Sequence, residues 1–191
     1  SCLVGSEMCI RDRITSATAL IFPVKEIIDL AKKKNILTII DGAHVPAHID
    51  LDIKKLDPDF YCGACHKWMC SPKGVAFLYV KKEYQNMIEP LVVSWGYEAE
   101  NPSDSQYLDY MQWQGTNDMS AYLTIPETIK FLHKNAWKEK AKKCRKLNLW
   151  AKNEICENLN TYCLGKDEFL GQMTTFAFDF LSARAVSYTH L

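Results

Sequence analysis

The sequence predicts an α/β domain with a mostly parallel sheet, followed by a long helix that leads into the start of a smaller α/β domain. Three observations predict it. Ile36-Leu37-Thr38-Ile39-Ile40 is a short, continuous, mostly β-branched run, the pattern of a parallel strand covered on both faces. Helix-like and strand-like segments alternate along the first half of the chain. Ionisable residues collect where those strand-like runs stop, at Asp41 with His44 and again at His66 with Lys67.

Each element has its own signal. From Pro23 to Lys34, Val24, Ile27, Ile28 and Ala31 share one helical face, with Lys and Glu opposite. Pro23 suits the first turn and Asn35 ends the helix. Lys32, Lys33 and Lys34 read as a solvated helix end, favourable at the negative end of the dipole. A helical turn is expected over Leu51 to Leu56, then a strand over Asp59 to Gly63. Ser71-Pro72-Lys73-Gly74 is a turn signal, and Val75 to Val80 is strand-like. Glu98 to Asp109 is polar and reads as loop. Ser120 to Asn158 is helical in pattern, with a long helix bearing Trp137, Cys144, Leu147 and Trp150; both tryptophans read as packing residues. Thr174 to Phe180 reads as the first strand of a second domain.

Composition excludes several classes. Hydrophobic content of 48% with 24% charged residues is that of a soluble globular protein. Lys plus Arg and Asp plus Glu both number 23, and no basic block stands out, so nucleic acid and anionic lipid are not expected partners. No apolar run is long enough to span a membrane. The cysteines do not form a secreted disulfide framework, and a reducing cytoplasm is expected.

Both ends read as foreign. Glu7-Met8-Cys9-Ile10-Arg11-Asp12 back-translates to GAG ATG TGT ATA AGA GAC. The reverse complement of that DNA encodes Val-Ser-Tyr-Thr-His-Leu, which is Val186 to Leu191. The DNA resembles a transposon-end adapter of sequencing libraries, and Cys2 to Ser6 fit its upstream part. The expectation is adapter translation over 1–13 and 185–191, partial major domain over 14–135, and linking helix with the start of a small domain over 136–184. The natural protein would then extend past both ends, and Met8 would be no start codon.

The chemistry follows from the strand ends. Ligands of open α/β sheets bind outside the carboxyl ends of the strands. Neighbouring strands ending at Asp41 and Lys67 would bring a carboxylate and an amine to one site. Such a pair suits pyridoxal 5'-phosphate (PLP). A lysine amine can hold the cofactor as a Schiff base. A carboxylate keeps the pyridine nitrogen protonated, so that the ring accepts electrons from a substrate carbon. Desolvation of Lys67 in a closed pocket would favour its uncharged form. Each residue also has a plainer reading: Asp41-Gly42 as a turn, Lys67 as a surface lysine, and His44 and His66 as structural histidines.

The segment from Ile14 to about Thr175 resembles the class V aminotransferase group of fold-type I PLP enzymes, closest to its isopenicillin N epimerase-like branch and near the cysteine desulfurases. The resemblance rests on Ile39-Ile40-Asp41-Gly42-Ala43-His44, Cys65-His66-Lys67-Trp68, Ser71-Pro72-Lys73-Gly74 and Trp113-Gln114-Gly115-Thr116, in that order and spacing. It implies the major-domain fold of the PLP-dependent transferases, with the cofactor on Lys67 and Asp41 at the pyridine nitrogen. It places His44 at the ring's phenolic oxygen and His66 by the phosphate. It further implies that Thr116 reaches the phosphate of a neighbouring subunit in a homodimer. The expected substrate is an amino acid, and the expected reaction an epimerisation, an elimination or desulfuration, or a transamination.

One position departs from the pattern: Ala64 stands where relatives place Ser or Asn on the phosphate. By the same resemblance, the parts that supply the phosphate loop, the ring-stacking side chain and the carboxylate-binding arginine lie outside this chain. The chain alone is therefore expected to be inactive. Two alternatives stand beside this reading. One is a non-catalytic relative. The other is a redox or zinc site on Cys62-Gly63-Ala64-Cys65 with His66 and Cys70.

Overall fold

The computed structural model describes residues 8–178 of the 191. A four-stranded sheet runs in the order β1 (Met8–Asp12), β2 (Leu37–Asp41), β3 (Phe60–Ala64), β4 (Ala76–Val80). The first three strands are parallel, and β4 returns antiparallel beside β3. Asp41 ends β2 opposite Cys62, so the two central strands finish at nearly the same level. The α/β class with a mostly parallel sheet is therefore the one observed.

Helix α1 (Val24–Lys32) packs its apolar face on this sheet. Val24, Ile28, Ile40, Leu56 and Tyr61 make the buried cluster, with Phe22, Leu51, Ile53, Phe77 and Tyr79 around it. Ile28 and Ile40 are fully buried, each contributing roughly 1.5–3 kcal/mol. The chain leaves α1 through Asn35, whose φ of +55° breaks the helix. Lys32 is not simply solvated. It reaches across to Asp57, the left-handed residue that caps the short α2 (Ile53–Leu56), donating to its carboxylate and, at 2.6 Å, to its carbonyl.

A second, buried polar joint ties β2 to the start of β3. The Asp59 carboxylate accepts from the Thr38 amide at 2.8 Å and the Thr38 hydroxyl at 2.9 Å, and that hydroxyl accepts from the Asp59 amide at 3.2 Å. This lock fixes the offset between the strands that carry the site.

Met8–Asp12, expected to be adapter-encoded, is the edge strand β1, in register with β2 from Met8 opposite Leu37 to Asp12 opposite Asp41. An edge position asks mainly for backbone pairing, which most side chains allow. Residues 1–7 and the expected adapter stretch 185–191 lie outside the described residues.

The second half departs from the expectations in detail. Within the presumed loop, Ser105 caps a helix, α3 (Gln106–Gln112), by accepting from the Leu108 amide at 3.3 Å. The helical region is three helices, α4 (Ser120–Leu123), α5 (Ile125–Lys134) and α6 (Trp137–Leu159), and the last is the expected long helix bearing Trp137, Cys144, Leu147 and Trp150. Pro126, which lacks an amide donor, sits in the first turn of α5, and Ala136 turns left-handed at φ +48° before α6. Trp137 donates to the Ala47 carbonyl at 2.7 Å, whereas Trp150 is 60% exposed and packs no core among the described residues. The strand expected over Thr174 to Phe180 is β6 (Phe176–Ala177), paired antiparallel with β5 (Tyr162–Cys163); Asp179 and Phe180 lie outside the described residues. Among the described residues no helix is long and apolar enough to cross a membrane.

Candidate active site

The loops leaving β2 and β3 meet. After Asp41 the chain turns at once, because the Asp41 carboxylate Oδ1 accepts from the Ala43 amide at 2.9 Å. The same oxygen receives the Cys62 thiol from β3 at 3.6 Å. The other carboxylate oxygen takes no hydrogen bond among the described residues. Gly42 must be glycine for lack of room: a Cβ there would lie 2.1 Å from the Tyr61 hydroxyl.

His44, three residues past Asp41, lies against the loop that follows β3. Its Nε2 is 3.0 Å from Lys67 Nζ, and its Nδ1 is 3.4 Å from the Trp68 indole nitrogen. Burial holds His44 below the usual histidine range; the positive charge of Lys67 adds to this, while Asp41 and Asp12 oppose it. An indole N–H can only donate, so the Trp68 bond requires a bare Nδ1. The neutral ring then carries its proton on Nε2, the nitrogen that faces Lys67. Lys67 itself is exposed, so these residues do not supply the desolvation expected of a closed pocket.

His66 points the other way along its loop, with Nδ1 3.0 Å from the Val75 carbonyl. Thr116 is exposed in the loop after α3 and makes no hydrogen bond among the described residues. The structure thus brings Asp41, His44 and Lys67 into one site. His66 adjoins Lys67 in sequence but is bonded to the β4 side, and Thr116 stands apart from the cluster within this chain.

The cysteine alternative fares differently. Cys62 turns toward Asp41, Cys65 is buried, and Cys70 is exposed. Burial pushes both the Cys62 and Cys65 thiols up, with Asp41 adding to the effect at Cys62, the reverse of an activated thiolate. Among the described residues no three His, Cys, Asp or Glu side chains gather as a metal site would require.

Two residues near the site escaped the sequence reading. Trp68 stands in the sequence only as part of a motif and His48 in none, though His48 is 3% exposed and its ring lies 4.1 Å from that of Trp68. The signal that could have found it was its spacing of four from His44, which allows His48 Nδ1 to reach the His44 carbonyl at 3.0 Å.

Residues 11–189 match the family described as aminotransferase class-V. The chain belongs to that family. This class-V chain is 35% identical over 127 residues to isopenicillin N epimerase of Amycolatopsis lactamdurans, covering 62% of this chain and 32% of the relative. It is 33% identical over 155 residues to hercynylcysteine sulfoxide lyase of Schizosaccharomyces pombe, covering 78% and 39%. The class-V chain thus spans between about a third and two fifths of the length of these curated relatives. In fold it superposes on a cysteine desulfurase from Thermococcus onnurineus NA1 with a TM-score of 0.81 at 18% identity, over 96% of this chain and 47% of that one.

Proposed function

We propose that this chain is the cofactor-binding part of a PLP-dependent enzyme that acts on an amino acid, with Lys67 as the attachment point. The observation that carries the reading is the 3.0 Å approach of Lys67 Nζ to His44 Nε2 beside a carboxylate with one uncommitted oxygen. The donor set fits PLP: an acid for the pyridine nitrogen, an imidazole for the phenolic oxygen, an amine for the aldehyde. When bound, PLP supplies an electron sink to the substrate's alpha carbon.

The chain's own residues do the rest. The Ala43 amide and the Cys62 thiol hold Asp41 Oδ1, which fixes the carboxylate's plane and leaves the second oxygen to accept a proton-bearing ring nitrogen. Trp68 sets the proton of His44 on Nε2, where it can donate to an oxygen. Lys67 would hold the cofactor and supply the amine that serves as base, and His66 is assigned to the phosphate side.

Epimerisation, elimination with desulfuration, and transamination all start from this arrangement. The relatives span an epimerase and a lyase, so the reading stays at an amino-acid substrate. Leu91, Val93 and Trp95 are 102%, 64% and 90% exposed, an apolar stretch that supports the homodimer in which Thr116 serves the neighbouring subunit's site. Cys62, Cys65, Cys70, Cys144, Cys156 and Cys163 are free thiols, and the setting proposed for them is a reducing, cytoplasmic one.

The test is incubation with PLP, borohydride reduction and peptide mapping by mass spectrometry. The phosphopyridoxyl group should fall on Lys67 in preference to the other lysines, and Lys67→Ala should abolish that label along with the visible absorbance of the loaded protein. Label spread evenly over the surface lysines would refute the assignment.

A further inference from the structure

His48 has no part in the chemistry above, yet both of its nitrogens are committed. A backbone N–H can only donate, so the Gln172 amide, 2.7 Å from His48 Nε2, requires that nitrogen to accept. The ring proton therefore sits on Nδ1 and goes to the His44 carbonyl at 3.0 Å. The Gln172 side chain closes the other side, donating to the His48 carbonyl at 2.8 Å. There is no slack: a Cβ on Gly171 would lie 2.3 Å from His48 Nε2.

The far side of this joint belongs to α6. Arg145 donates to the Leu170 carbonyl at 2.9 Å and Asn148 to the Gly171 carbonyl at 3.0 Å, so the Leu170–Gln172 segment rides on that helix. On the near side the His48 ring lies against Trp68, which bonds His44, which meets Lys67. We infer that His48 is a positioning residue that carries the position of the Leu170–Gln172 segment, through Trp68 and His44, to Lys67. That Lys67 is the reacting amine rests on the reading above; the mechanical link does not.

The link is tested on the cofactor-free chain by nitrogen-15 NMR, with the Trp68 indole N–H as reporter, assigned through Trp68→Phe. Gly171→Ala should shift that resonance although residue 171 makes no bond to Trp68. In a His48→Ala background, with no ring left to push, the same change should leave it where His48→Ala alone puts it. His48→Ala should also speed exchange of the Gln172 amide about tenfold, and His48→Gln, which restores an acceptor at the same reach, should recover most of the protection. Should His48→Ala fail to fold, Asn148→Ala gives the second arm. It frees the Gly171 carbonyl from α6 without touching His48, and should likewise move the indole signal.

An indole resonance indifferent to both Gly171→Ala and Asn148→Ala, or one shifted equally with the His48 ring removed, would overturn the inference. Because no cofactor is needed, failure of the Lys67 labelling test leaves this result standing, and the converse also holds.

Discussion

At the scale of single residues, this chain spends its buried polar groups on locating one strand against another. Thr38 is fully buried and exists to satisfy Asp59, itself 3% exposed. Thr38→Val keeps the shape and strips the hydroxyl, leaving a buried carboxylate with its amide bond alone. We expect a loss of about 3 kcal/mol in urea unfolding; a loss under about 1 kcal/mol would mean that water replaces the hydroxyl. Gly42 makes the opposite case, where the cost is space. Gly42→Ala drives a methyl into the fully buried Tyr61 ring. Burial, only partly offset by the charge and hydrogen bonding of nearby Arg13, pushes the Tyr61 hydroxyl up to about 12, so it remains a neutral obstacle at any ordinary pH. The expected result is destabilisation of about 1–3 kcal/mol together with weaker PLP retention, since the displaced turn is the one Asp41 anchors. None of this pairing was legible in the sequence. Thr38 and Asp59 are 21 positions apart, and Gln172 and His48 are 124 apart, with no periodicity to join them.

At the scale of elements, what could be read was what local physics decides. The run Ile36–Ile40 had to be a covered strand, and α1 had to end where Asn35 could turn left-handed. The strand ends that lead to Asp41 and Lys67 are neighbours, as consecutive strands of one sheet most often are. What failed was decided by single residues inside long patterns. Ser105 caps α3 within a stretch whose composition says loop, and Ala136 sets where the long helix α6 begins within a stretch whose pattern says only helix. Lys32 belongs to the same group. Its sequence neighbours mark a solvated lysine run, but the fold offers it Asp57 at the cap of α2. The Lys32 bond holds the Asp57 carboxyl below its usual range, so the pair stabilises the fold above the unfolded carboxylate value and is lost as pH falls below it. With both groups substantially in water, Lys32→Met should cost no more than about 1 kcal/mol by urea unfolding at neutral pH, and the cost should shrink in high salt. A salt-independent loss would point to packing of the lysine stem instead.

At the scale of the whole molecule, the buried histidine joint makes the fold's stability depend on pH in a window of its own. Burial lowers His48 from 6.5 to about 4, its backbone bond to His44 resisting and the His44 charge assisting, and burial lowers His44 in the same direction. Between those values the unfolded chain binds a proton on residue 48 that the folded chain refuses. Stability therefore rises with pH through the window, and is lost as pH drops from 6.5 toward 4. A single such group contributes at most about 1.4 kcal/mol per pH unit, and about 2–3 kcal/mol across the window once solvent screening is allowed for. The direction of failure is set by geometry. A protonated His48 turns Nε2 into a second donor facing the Gln172 amide, so the contact between the Leu170–Gln172 segment and the site opens before the sheet does. Urea unfolding at successive pH values should show the midpoint falling steadily below pH 6.5, starting above the range in which carboxylates titrate. The Trp68 indole signal should move in step with it. His48→Gln keeps an acceptor but cannot be protonated, and should flatten the slope in that window while Asp57 still governs the loss at lower pH. A wild-type midpoint level between pH 6.5 and 4.5 would show that the joint accepts the proton without opening.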